Sequence, residues 1–134
     1  MTLEELSENF ELLDDWEDKY RYIIDLGSKL SPLDEKFYTD EWKVQGCTSQ
    51  VWLIPSASDN KLSFRGDSDA AIVKGLLSIV LMIFSDKTPQ EIEKIDTENI
   101  FTALGLQENL TPSRRNGLFS MIEKIKFYAQ NLKE

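Results

Sequence analysis

The chain has 134 residues, a formal net charge of −9, one cysteine and no histidine. That length suits one domain, expected over residues 1–134, with a core large enough to stand without disulfide or metal staples. The acidic balance argues against a general phosphate-backbone binder and an anionic membrane surface, and the missing imidazole removes Cys–His nucleophile pairs and most zinc sites.

The segment Thr2-Leu3-Glu4-Glu5 has the form of a helix capping box, with Leu3, Leu6, Phe10 and Leu13 following at helical spacing. Asp14-Asp15 interrupts, and Asp15 with Asp18 opens a second predicted helix. Trp16, Tyr20, Ile23, Ile24, Gly27 and Leu30 line one of its faces, and Ser31-Pro32 ends it. The period then changes. Between residues 41 and 65 the pattern predicts three short strands: one around Trp42 and Val44, a run Val51-Trp52-Leu53-Ile54 stopped by Pro55, and one carrying Leu62 and Phe64. Ser58-Asp59-Asn60 is a turn that makes the last two a hairpin.

Asp67-Ser68-Asp69 is predicted to open a long helix with slim early turns at Ala70, Ala71 and Gly75. Ile72, Val73, Leu76, Leu77, Val80, Leu81 and Phe84 make it apolar nearly all round, the mark of a central buried helix. Thr88-Pro89-Gln90-Glu91 combines an N-cap, a first-turn proline and a capping-box glutamate. A short helix over residues 99–104 ends at Gly105. Thr111-Pro112 starts the last helix, with Leu118, Ile122, Ile125, Ala129 and Leu132 on one face. Helices, strands, then helices give an α+β domain, a small antiparallel sheet of about three strands covered by helices. Trp16, Trp42 and Trp52 are expected to pack as core or sheet aromatics.

The charge is uneven. Residues 1–18 hold eight acidic residues and no basic one, whereas residues 111–134 hold five basic (Arg114, Arg115, Lys124, Lys126, Lys133) and two acidic. Solvated helix faces account for this, and a steering patch for a protein partner is the sharper reading. No basic stretch followed by an apolar one opens the sequence. Its longest strongly apolar segment, residues 75–84, is too short to span a bilayer. A cytoplasmic location is expected, where thiols stay reduced.

Cys47 sits in Gly46-Cys47-Thr48-Ser49-Gln50, in the connection between the first and second predicted strands. A free cysteine often packs as a small apolar group. Here a glycine precedes it and hydroxyl and amide side chains follow it, so the thiol is placed to meet a partner. The reactive species is the thiolate. Backbone amides, a helix N-terminus and the cations Arg114 and Lys74 are the groups available to favour it. A peroxide-sensing thiol, a cluster scaffold and a non-catalytic interaction module are the competing readings, and one thiol without histidine offers too few ligands for a scaffold.

Gln45-Gly46-Cys47-Thr48-Ser49-Gln50-Val51-Trp52 resembles the reactive-cysteine loop of the SufE family of sulfur-acceptor proteins. Gly66-Asp67-Ser68-Asp69-Ala70-Ala71-Ile72-Val73-Lys74-Gly75 resembles its central helix start. Leu110-Thr111-Pro112-Ser113-Arg114 with Gly117 resembles the start of its last helix. Trp16-Glu17-Asp18-Lys19-Tyr20 with Ile23-Ile24-Asp25-Leu26-Gly27 is also similar. The resemblance implies an α+β fold shared with the N-terminal domain of NifU-like scaffolds. It also implies a persulfide relay in iron–sulfur cluster assembly. A SufS-like cysteine desulfurase, which carries the pyridoxal phosphate, hands sulfur to Cys47, which passes it to a cluster scaffold complex. This chain then needs no cofactor, metal, nucleic acid or membrane. On that reading Gly46 and Ser49 shape the loop. Asp69 caps the central helix and hydrogen-bonds the Cys47 loop, holding the thiol inward, with a plain N-cap as the simpler role. Arg114 favours the thiolate or persulfide, or anchors the loop, with a surface ion pair as the simpler role.

Overall fold

The computed structural model describes residues 2–131. Leu132, which the sequence places on the last helix, and Lys133, counted in the basic stretch over residues 111–134, lie outside the described residues.

Helix α1 (Leu3–Glu11) starts where the capping box predicts, its Glu5 amide donating to the Thr2 hydroxyl at 3.2 Å. Helix α2 (Trp16–Ser28) is capped by Asp15, which accepts from the Asp18 amide at 2.9 Å. Ile23, Leu26 and Gly27 face inward, but Ile24 is turned to solvent. Residues 29–50 hold only two single-turn 3₁₀ helices, Glu35–Phe37 and Asp40–Trp42.

Strands β1 (Val51–Ser58) and β2 (Lys61–Ser68) form an antiparallel hairpin. Its turn residues Asp59 and Asn60 have φ of 54° and 66°, the left-handed pair that a two-residue type I′ turn requires. The first of the three expected strands is reduced to one bridge between Lys43 and Trp52, so the sheet has two strands. The second difference is at Pro55, which β1 runs through rather than stopping at. The Val51 carbonyl faces away from β2 and accepts from Val44 N–H at 2.8 Å. By strand alternation Pro55 points its nitrogen to that same open edge, where no ladder donor is needed.

Helix α3 (Ala71–Phe84) fills the centre, burying Val73, Gly75, Leu76, Leu77, Ile79, Val80, Leu81, Ile83 and Phe84. It lies against α2, β2 and the last helix. The α2 crossing is backbone on backbone: a methyl on Gly27 would lie 2.5 Å from the Gly75 nitrogen. The helix starts later than the sequence suggests, with Ala70 as an N-cap that makes no side-chain bond. Asp67 and Ser68 belong to the end of β2, and their side chains are committed to long-range contacts.

Helix α4 (Pro89–Lys94) has the full capping box, Thr88 and Glu91 exchanging bonds of 3.0 and 3.1 Å. Helix α5 (Thr97–Ala103) and the one-turn α6 (Leu106–Asn109), absent from the sequence reading, meet at Gly105, whose φ of 74° turns the chain between them. Helix α7 (Pro112–Asn131) buries Leu118, Ile122, Ile125 and Ala129.

The sheet has two covered faces. Leu53, Leu62 and Phe64 join the main core under α3. Ile54 and Trp52 on the other face lie beneath the segment carrying Leu33, Phe37 and Tyr38, with Arg65 over the Phe37 ring at 5.2 Å. Trp52 meets Tyr38 edge-on at 4.9 Å, Trp42 meets Phe37 at 6.0 Å and Trp16 meets Phe10 at 6.2 Å, so all three tryptophans pack against other rings.

Candidate functional site

The chain leaves the 3₁₀ segment at Val44, which is buried and bonded to β1, and returns at Gln50. The five residues between form a loop that leans on α7. Gly46 has φ of +90°, a backbone state that disfavours side chains, and a methyl there would also lie 2.6 Å from the Ser120 hydroxyl on α7. Glycine is therefore favoured by the turn, whereas the Ser120 hydroxyl, the end of a side chain that can rotate, could make way for a methyl. Cys47 follows, half-buried, its thiol donating to the Gly117 carbonyl of α7 at 3.6 Å. Thr48 and Ser113 share a hydroxyl–hydroxyl bond of 2.6 Å.

The downstream end is clasped from β2. The Asp69 carboxylate accepts from the Gln50 backbone N–H at 3.0 Å and from its side-chain amide at 3.3 Å. The Gln50 carbonyl accepts from the Ser68 hydroxyl at 2.7 Å and the Asp69 N–H at 3.3 Å. Asp69 therefore does not cap α3, where Ala70 is the N-cap, and of the combined role expected for it only the bond to the cysteine loop is present. The Ser68 hydroxyl takes the Ala70 N–H at 3.3 Å, near the helix start.

A cleft of about 280 Å³ opens beside the thiol. Its floor is apolar, with Ile72, Val73, Leu76 and Met121, and its rim carries Thr48, Ser49, Thr111, Ser113 and Arg114. Ser49 and Arg114 thus line the same cleft as Cys47. Arg114 makes no ion pair among the described residues, where the surface ion pair considered for it is therefore not formed. Lys74, the other nominated cation, is turned away: its ammonium lies 3.2 Å from the Asp67 carboxylate, and it does not line the cleft.

Among the described residues no group is placed to favour the thiolate in this state. Burial pushes the Cys47 thiol above its ordinary value, so near neutral pH it is held as the protonated S–H that bonds Gly117. The helpers expected from sequence do not offset that burial. Among the described residues no group of three or more His, Cys, Asp or Glu side chains could hold a metal ion, and no helix is long and apolar enough to cross a membrane.

Several site residues were given no role from sequence. Gln50, Ser68, Ser113 and Ser120 hold or border the loop from afar, and a serine or glutamine carries no local mark of that work. Gly117 did have a signal: a glycine inside a helix costs stability, and here it sets the backbone 3.6 Å from the sulfur.

Residues 4–129 match the SufE family, described as an Fe-S metabolism associated domain. The chain belongs to the SufE family. It is 50% identical over 133 residues to an uncharacterised SufE-like protein of Rhizobium meliloti strain 1021, covering 96% of this chain and 95% of the relative. It is 48% identical over 129 residues to a similar SufE-like protein of Rhizobium etli, covering 93% and 87%. A hypothetical protein from Thermus thermophilus, solved in solution, shares the fold with a TM-score of 0.76 at 17% identity, covering 98% of this chain and 97% of that one. The SufE membership carries a role in iron–sulfur metabolism and agrees with the α+β architecture above.

Proposed function

We propose that this chain is a sulfur carrier that takes sulfane sulfur from a cysteine desulfurase onto Cys47 and releases it for iron–sulfur cluster assembly, stimulating the desulfurase by unloading it. Cys47–SH and a donor persulfide R–S–SH become Cys47–S–SH and R–SH. The Cys47 sulfur attacks the terminal sulfur, the donor S–S bond breaks as the new one forms, and the donor leaves as thiol, so nothing is oxidised overall. The chemistry needs one thiol on each protein, and a single cysteine cannot condense with its own persulfide to an internal disulfide. Pyridoxal phosphate belongs to the partner; this chain needs no cofactor of its own and acts in the cytoplasm.

The observation that carries this reading is the lone thiol at the tip of a loop fastened by separable side-chain bonds at the mouth of a cleft. Half-buried and protonated, the thiol is protected at rest. Docking must release the Asp69 clasp and move the loop outward, where the sulfur regains solvent and its pKa falls. Arg114, on the cleft rim without a carboxylate partner among the described residues, then stabilises the thiolate or persulfide anion. The same burial disfavours the peroxide-sensor reading, because sensor thiols are low in pKa and accessible.

Mass spectrometry after mixing with a cysteine desulfurase and free cysteine tests the relay. One added sulfur is expected on Cys47 and none on Cys47→Ser, which still docks. No sulfur on the wild-type chain with any desulfurase overturns the reading, as does a Cys47→Ser chain of undiminished activity, which an interaction module would give.

A further inference from the structure

Three consecutive residues, the last two of β2 and the one after it, divide the anchoring of the Cys47 loop. Ser68 and Asp69 hold Gln50, downstream of the thiol. Asp67 points to the other face of the sheet and engages the segment that leads into the thiol. Its carboxylate accepts from the Tyr38 hydroxyl at 2.6 Å, from the Ser68 N–H at 2.8 Å and from Lys74 at 3.2 Å. The Tyr38 oxygen in turn accepts from Leu33 N–H at 3.1 Å.

We propose that Tyr38, Asp67 and Lys74 are positioning residues for Cys47, fixing the upstream end of its loop from the far side of the sheet. The upstream segment joins β1 through one bridge, Lys43 with Trp52, and the Val44–Val51 bond beside it. Trp52 is the common post: it pairs with Lys43 on one edge and with Asp67 on the other, and its ring meets Tyr38. A bridge one residue wide frays unless a neighbouring contact holds it, and the Tyr38–Asp67 bond is that contact.

The ion pair makes the post rigid. The Asp67 and Lys74 side chains are 12% and 25% exposed, so neither charge can leave its partner without a large desolvation cost. A buried ion pair adds little net stability over apolar residues of the same volume, so its use here is to fix geometry. The consequence is a loop held at both ends from one strand terminus, by Asp69 through Gln50 and by Asp67 through Tyr38.

This inference rests on Cys47 as the reacting atom, but its test involves no desulfurase. The rate of Cys47 alkylation by iodoacetamide is measured against pH in the full chain, in Tyr38→Phe, in Asp67→Asn, and in Phe101→Leu as a control in α5. Phe101 is fully buried and absent from the cleft lining. Tyr38→Phe is expected to raise the rate about three- to tenfold, the range for losing one hydrogen bond, and Asp67→Asn at least as much. In both, the midpoint of the pH profile moves down toward that of an ordinary cysteine. Phe101→Leu is expected to lower the melting temperature and leave rate and midpoint at wild-type values.

Unchanged alkylation in folded Tyr38→Phe overturns the proposal, and so does equal acceleration in Phe101→Leu. If Asp67→Asn does not fold, Tyr38→Phe, which removes a single hydroxyl, decides alone. Accelerated alkylation in a chain that never accepts sulfur would sink the relay and leave this proposal standing; sulfur transfer with unchanged alkylation would do the reverse.

Discussion

Glycines form two contact seams in this protein, and the seams behave differently. Between α2 and α3, a methyl on Gly27 would run into the Gly75 backbone, and one on Gly75 into the Ile23 carbonyl. Between the cysteine loop and α7, a methyl on Gly46 would meet the hydroxyl of Ser120, and one on Gly117 would touch the Cys47 sulfur at 3.6 Å, an ordinary contact. The first seam is backbone against backbone and has no second arrangement. The second is backbone against side chains that can rotate. The same residue type builds a fixed joint in the scaffold and a separable one at the site.

The sharpest way to break the comparison is Gly75→Ala. It should cost about 3 kcal/mol or more, because overpacking against backbone cannot relax by a rotamer change. Thermal unfolding measures this, and a melting temperature near wild type would show that the α2–α3 joint can give.

Asp69→Ala is next and should act locally. It removes both bonds to Gln50, so alkylation of Cys47 should speed about tenfold while the melting temperature changes little. A slow, wild-type alkylation rate would mean that the loop is held by its α7 contacts instead.

Acid sharpens the contrast at Asp67. Burial alone would raise its carboxyl, but bonds from Tyr38, Ser68 N–H and Lys74 more than offset it, so its pKa lies below the ordinary 3.8. A depressed carboxylate contributes stability that is fully present above the unfolded value and lost as pH falls through the folded one. Stability should therefore drop below about pH 3.8, and Asp67→Asn should remove that part of the dependence when urea midpoints are compared across acid pH.

The smallest effect is expected of Gly117→Ala. The added methyl fits against the sulfur, and alanine favours a helix interior over glycine by up to about 1 kcal/mol. Stability should rise slightly and Cys47 alkylation should slow; faster alkylation would show that the methyl displaces the thiol.

What the sequence made legible follows how far each contact reaches along the chain. The α4 capping box is complete within Thr88–Glu91 and forms as read, and Asp59-Asn60 turns the hairpin as read. Pro55 reads as a strand end because its neighbours do not reveal that it lies on an open edge. The strand around Trp42 reads well by alternation, yet it has only one bridge to form, since 3₁₀ turns occupy the residues before it. Asp67-Ser68-Asp69 looks like a helix start by composition, but each side chain is drawn to a partner far away or to the strand end itself. The same holds at the site. Gly46-Cys47-Thr48 marks the loop, whereas Ser113, Gly117 and Ser120 join it only because α7 folds back across the molecule.

The bond from the Cys47 thiol to the Gly117 carbonyl has a corollary for the proposed relay. A sulfur bonded to carbon and to a second sulfur has no hydrogen of its own, so once charged, Cys47 can no longer make that donation from the same atom. The extra atom also adds about 2 Å of length, which must be housed in the cleft or pushed outward. Empty and charged carriers therefore cannot rest in identical postures. A donor that must find the vacant form and a recipient that must find the filled one have different shapes to recognise.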